Sequence, residues 1–136
     1  MNWYLKVVRD NYANFSGRAR RQEYWMFMLF HSVIIIVLAI LTGLLVDLTD
    51  NGAYIAIFIG FYFLGTIIPT LAVTVRRLHD IGKSGWYFLL QLIPYVGGFI
   101  MFVFTLQPGN SGANQYGPDP KVLNIFDEID DIGKPQ

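Results

Sequence analysis

The sequence predicts an all-α membrane protein, a three-helix transmembrane bundle with an N-terminal interfacial amphipathic helix. Of the 136 residues 54% are hydrophobic and 15% charged, and the mean hydropathy is +0.41. The apolar residues gather into three blocks, each near the roughly 20 residues that a helix needs to cross a hydrocarbon core of about 30 Å. The ten basic and ten acidic residues lie almost wholly outside those blocks, so a net charge of zero conceals a strong segregation. A soluble domain of this length mixes the two classes along its helices. The chain has no cysteine, which excludes a disulfide framework, a thiolate nucleophile and a cysteine-based metal site.

Taken in order, residues 1–15 place Trp3, Tyr4, Val7, Val8, Asn11, Tyr12 and Phe15 at spacings of three and four, mixed with Lys6 and Arg9. Aromatic rings and snorkelling basic side chains suit the headgroup layer, so a short surface helix is expected there. Ser16 to Glu23 reads as a polar hinge. Tyr24 to Val46 is the first span, apolar apart from His31, Ser32 and Thr42. The block lacks a small-x-small cleavage site at its end, so it reads as a retained span and not a signal peptide. Asp47 to Gly52 (DLTDNG) is a turn by composition.

Ala53 to Val75 is the second span, in which Pro69 suggests a kink. Gly60 and Gly65 lie five apart and so do not form a small-xxx-small dimer motif. Arg76 to Gly85 (RRLHDIGKSG) reads as a polar loop. Its Ile81–Gly85 piece lacks the remaining glycine spacing of a phosphate loop and is a structural turn. Trp86 to Leu106 is a third apolar block of 21 residues. Ile93-Pro94-Tyr95-Val96-Gly97-Gly98 interrupts its middle, so the block is either a kinked span or a re-entrant hairpin shielded by other helices. Gln107 to Pro120 is a set of turns. The single membrane domain runs over 1–121, and 122–136 is an acidic, solvated tail carrying Asp127, Glu128, Asp130 and Asp131.

Basic residues flanking membrane spans tend to stay in the cytoplasm. Lys6, Arg9, Arg18, Arg20 and Arg21 precede the first span, the 47–52 turn has none, and Arg76, Arg77 and Lys83 fill the next loop. The N-terminus is therefore expected in the cytoplasm, and three full crossings place the C-terminus outside; a re-entrant third block keeps it inside. Trp86-Tyr87 and Tyr24-Trp25 supply an aromatic belt at one interface.

The densest polar cluster is Arg76-Arg77-Leu78-His79-Asp80. Adjacent arginines point to different faces of a helix, so one can anchor in headgroups while the other turns inward to Glu23, Asp80 or a phosphate. Glu23 lies at matching depth and is the natural partner. His79 and Asp80, being neighbours, do not face each other, and no second histidine stands at metal-ligand spacing. His31, about two turns into its span, is a functional candidate or an interfacial hydrogen-bonded residue.

The run Phe15-Ser16-Gly17-Arg18-Ala19-Arg20-Arg21-x-Glu23-Tyr24-Trp25 is followed by Pro69, Arg76-Arg77-Leu78-His79-Asp80, Ser84-Gly85-Trp86, Ile93-Pro94 and Pro108-Gly109. Asn114-x-Tyr116-Gly117-Pro118-Asp119-Pro120 closes the series. Together these resemble the YhaH-like family of small bacterial inner-membrane proteins, a domain of unknown function, over roughly residues 1–121. The resemblance implies a polytopic protein of the bacterial inner membrane and carries no biochemical activity with it.

The candidate site is a cytoplasmic mouth made by Arg18, Arg20, Arg21, Glu23, Arg76, Arg77, His79 and Asp80, with Asn114, Tyr116 and Asp119 as motif residues of unknown role. The leading expectation is a non-enzymatic protein that binds anionic lipid headgroups or a partner protein there, alone or as a homo-oligomer. An oligomeric transporter or channel subunit is the alternative, followed by a lipid-headgroup enzyme using His79, Asp80 and Glu23. No cofactor, metal or nucleic-acid partner is expected.

Overall fold

A computed structural model describes residues 2–49 and 53–122. Their regular elements are all helical, without a named strand: α1 (Asn2–Leu5) passes into a π-turn (Lys6–Asp10), then come α2 (Arg21–Thr49), α3 (Ala53–Asp80), a 3-10 helix (Gly85–Leu92) and α4 (Gly97–Leu106). Two helices, Arg21–Val46 and Ile57–Asp80, are long and apolar enough to cross a membrane. Leu29, Ile36, Ile40, Leu44, Phe58, Phe61 and Leu64 stand exposed along them. Such a continuous apolar surface is the opposite of a soluble helix, which hides one face, and it is matched by hydrocarbon.

Both long helices exceed their predicted bounds. α2 runs on through Thr49, which takes Asp47, Leu48 and Thr49 out of the expected turn; residues 50–52 lie outside the described chain. α3 continues past Val75, so Arg76–Asp80 is its last stretch and not a loop. No helix breaker precedes Gly82, and basic residues favour the negative end of the helix dipole. Gly82, at φ 75°, then ends the helix: its N–H donates to His79 O at 3.0 Å and that of Lys83 to Leu78 O at 2.9 Å. This pairing satisfies carbonyls that a helix end otherwise leaves open.

The helix passes through Pro69 without interruption. Proline has no N–H for the carbonyl four residues back, which is Gly65 O. The Tyr12 hydroxyl, arriving from the N-terminal segment, donates to that oxygen at 2.8 Å. Other polar groups in the long helices are satisfied locally. Thr42, Thr66 and Thr74 donate to carbonyls one turn back, and His31 Nδ1 lies 2.8 Å from the Tyr62 hydroxyl, its ring between those of Phe27 and Tyr62.

The third block is not one helix, so the expected three-helix bundle is replaced by two long helices and a broken hairpin. Its 3-10 arm turns at Ile93–Val96, where Tyr95 adopts φ 66°, and α4 packs back along it. The rings of Tyr87 and Phe104, near opposite ends of the block, lie 6.0 Å apart, and Lys83 Nζ sits over both. Gly97 permits the close return, since a Cβ there would fall 2.1 Å from Leu90 O. Trp25 Nε1 donates to Thr105 O at 3.3 Å, tying α4 to α2. The path is a hairpin, as the re-entrant alternative requires of the chain, and residues 107–122 return to the end from which it starts. The acidic tail from residue 123 lies outside the described residues.

The N-terminal segment is docked on α2 and α3. Val7 is 0% exposed among Ala19, Phe27 and Val73, and Tyr4 stacks on Phe27 at 5.5 Å. The π-turn closes with Asn11 Nδ2 donating to Lys6 O at 3.0 Å.

Two outcomes follow. In the naturally cysteine-free chain, Ser16→Cys and Ser111→Cys are labelled by an impermeant maleimide from the same side of the membrane; labelling from opposite sides would mean a full crossing. Tyr12→Phe, which strips Gly65 O of its donor, lowers stability by about 1–3 kcal/mol in a denaturant titration in detergent.

Candidate functional site

The polar end is organised around Asp80, the last residue of α3. Arg18 Nε donates to Asp80 Oδ1 at 3.0 Å, and Arg77, three residues earlier on the helix, grips Oδ2. All three side chains are nearly or wholly buried. Each arginine spends its remaining donors on main-chain carbonyls. Arg18 reaches Gly112 O at 2.6 Å, Gly117 O at 3.4 Å and Asn110 O. Arg77 reaches Thr105 O at 3.2 Å, Ala19 O at 3.4 Å and Gln107 O. Two cations share one carboxylate, and carbonyl dipoles solvate the excess, as buried charge requires. Gly109 packs against the pair so closely that a Cβ would lie 2.1 Å from Asp80 Oδ2.

Arg76 turns the other way. Its Nη1 donates to Glu23 Oε1 at 2.8 Å, and Lys6 Nζ stands 3.7 Å from Glu23 Oε2. The Glu23 partnership expected from depth is therefore present. Both arginines turn inward, to different carboxylates.

His79 is held by its surroundings. Its Nδ1 lies 3.2 Å from Gly17 O, which can only accept, so Nδ1 carries the proton. Its ring stacks on Tyr116 at 3.8 Å and 3°. Asn114 Nδ2 donates to His79 O at 2.9 Å, and the Asn110 N–H donates to Asp80 O at 2.8 Å. The motif residues thus cap α3. Asp119 in turn accepts from the backbone of Lys121 at 2.9 Å and Gly112 at 3.1 Å. Those bonds, with the Arg18 and Lys121 charges nearby, hold its carboxyl below the ordinary range.

Arg20 and Arg21 remain at the surface. Arg20 supplies the carbonyl that accepts Tyr24 N at 3.1 Å as α2 begins, while Arg21 Nη1 reaches Leu106 O at 3.4 Å. Together with Gln22, Pro108, Gly109, Asp119, Pro120 and Lys121 they line a cleft of about 230 Å³. Lys121 was not among the expected site residues; its one signal in sequence is a cation directly after the Asp119-Pro120 motif. Among the described residues no group of three or more His, Asp or Glu side chains is placed to hold a metal ion.

The profile of the family described as Protein of unknown function (DUF805) matches residues 12–118. This chain belongs to that family. Similar proteins include the inner membrane protein YhaH of Escherichia coli strain K12, 46% identical over 122 residues, covering 90% of this chain and 98% of its own length. Inner membrane protein YhaI of the same strain is 44% identical over 124 residues, covering 89% and 97%. Uncharacterized protein YiiR of that strain is more distant, at 32% over 132 residues, covering 78% and 85%. No solved structure matches significantly. The matched region contains Arg18, Arg77, Asp80 and Asn114.

Asp80→Asn leaves two buried guanidinium groups sharing no counter-charge and costs about 3–5 kcal/mol, read as a loss of folded protein in detergent. Asp119 stabilises its turn fully above the ordinary carboxylate range, and that contribution is lost as pH falls through the lowered value. The Gly112 and Lys121 amides, corrected for intrinsic rates, are then less protected from hydrogen exchange in acid, and Asp119→Asn removes that pH step.

Proposed function

We propose that this protein is a non-enzymatic inner-membrane protein whose arginine-rich end faces the cytoplasm and binds the phosphate groups of anionic lipids. The observation that carries the reading is the cleft bearing Arg20, Arg21 and Lys121, three cations against the single exposed acid Asp119. Asp80 also borders it but is already paired with Arg18 and Arg77. α2 begins at the cleft wall and adds the positive end of its dipole. Arg18 and Arg77 are scaffold in this reading, and the headgroup role at the cleft falls to Arg20, Arg21 and Lys121.

The orientation draws on charge. Lys6, Arg9, Arg18, Arg20, Arg21, Arg76, Arg77, Lys83 and Lys121 share one end, which the positive-inside rule assigns to the cytoplasm. Because the hairpin returns, the described chain also leaves on that side at Val122. The headgroup-enzyme alternative loses its carboxylates: Asp80 and Glu23 are both engaged by buried arginines.

Native mass spectrometry from a mild detergent tests the reading. The wild type retains phosphatidylglycerol over phosphatidylcholine. At about 1 kcal/mol for each basic residue, Arg20→Gln, Arg21→Gln, Lys121→Gln in one chain weakens retention by roughly 100-fold. Unchanged lipid retention in that folded variant refutes it.

A further inference from the structure

Among the three buried arginines at the polar end, two are saturated and one is not. Arg18 and Arg77 share Asp80 and give their other donors to carbonyls, as described above. Arg76 is 3% exposed yet makes a single side-chain bond, from Nη1 to Glu23 Oε1 at 2.8 Å. Its Nε and Nη2 are buried and have no hydrogen-bond partner among the described residues.

The two vacant donors are not scattered. Nε–H and the adjacent Nη2–H lie on one edge of the planar guanidinium and project in parallel, the fork that takes two oxygens of a phosphate or carboxylate. The local charge points the same way. Arg76 and Lys6 bring two positive charges and Glu23 one negative, and one further negative charge balances them. Carbonyl dipoles perform that balancing at Arg18 and Arg77; none does so at Arg76.

We infer that Arg76 carries a second oxyanion site, separate from the surface cleft, in which its Nε–Nη2 edge holds two oxygens of a phosphate group. Lys6, whose side chain is 40% exposed, stands at the outer margin and meets the anion first. The Lys6–Asp10 π-turn borders the site, with Val7 packed against Val73 one turn before Arg76. A π-turn is a rare backbone form found often beside functional sites. The phosphate belongs to a lipid headgroup or to a free anion, and both present the same pair of oxygens.

Thermal unfolding of the delipidated full chain in a zwitterionic detergent, titrated with inorganic phosphate or with phosphatidylglycerol, tests this. The wild type is expected to gain unfolding temperature with at least one of them. A gain from phosphate identifies a free anion as sufficient, and a gain from the lipid alone identifies the headgroup. Arg76→Lys, which keeps the charge and loses the fork, is expected to lose most of the gain. Lys6→Gln, a change at a half-exposed side chain that leaves the fold intact, shifts the half-maximal concentration upward by about tenfold. The Arg20→Gln, Arg21→Gln chain keeps an Arg76-dependent gain even if the surface cleft is abolished. The inference fails if the wild type gains from neither probe. It also fails if the gain persists undiminished in both the Arg76 and Lys6 variants.

Discussion

The rest of the polar end depends on one carboxylate. Asp80 sits at the last turn of α3 with Arg18 on one oxygen and Arg77 on the other. Removing three charges from water is costly, and attraction alone does not recover that cost unless the remaining donors are met. They are met by carbonyls from segments distant in sequence: Ala19, Thr105, Gln107, Asn110 and Gly112. The network therefore determines topology as well as stability. Because Arg77 holds Thr105 and Gln107, the end of α4 comes back to the end of α3, and the apolar block between them turns on itself.

The same accounting of backbone groups runs deeper into the helices. A proline in a spanning helix leaves an open carbonyl in a medium without water, and here an N-terminal tyrosine closes it. That bond makes the N-terminal segment part of the helical core. It also explains why helix α3 can carry Pro69 without ending, while Pro94, in the hairpin tip, accompanies a real reversal of the chain: the first has a supplied donor, and the second stands in a turn between two arms.

Much of this was legible in the sequence, and the residues that were not share a cause. The two long spans follow from block length, and the Glu23–Arg76 pair from matched depth on facing helices. The choice between kinked span and hairpin stood open at Pro94 and Gly97-Gly98, because composition marks a break without giving its angle. Asp80 was visible as an acid beside two arginines, yet its partnership with Arg18, 62 residues away, was not. Bonds from side chains to carbonyls carry no residue-type signature, since every residue has a carbonyl. For the same reason Asn114 carries no role in its motif as read from sequence: it caps a helix end through the His79 carbonyl, while Tyr116 stacks on the His79 ring. Tyr95 at positive φ had no signal either.

The hairpin has a further mechanical meaning. An α4 of ten residues reaches about 15 Å, half of a hydrocarbon core of about 30 Å. Among the described residues, the arginine side has α2, α3, both hairpin arms and the N-terminal segment in cross-section, and the far side has α2 and α3. The arginine end of the described chain is therefore the broad one, and the end where α2 finishes and α3 begins is the narrow one.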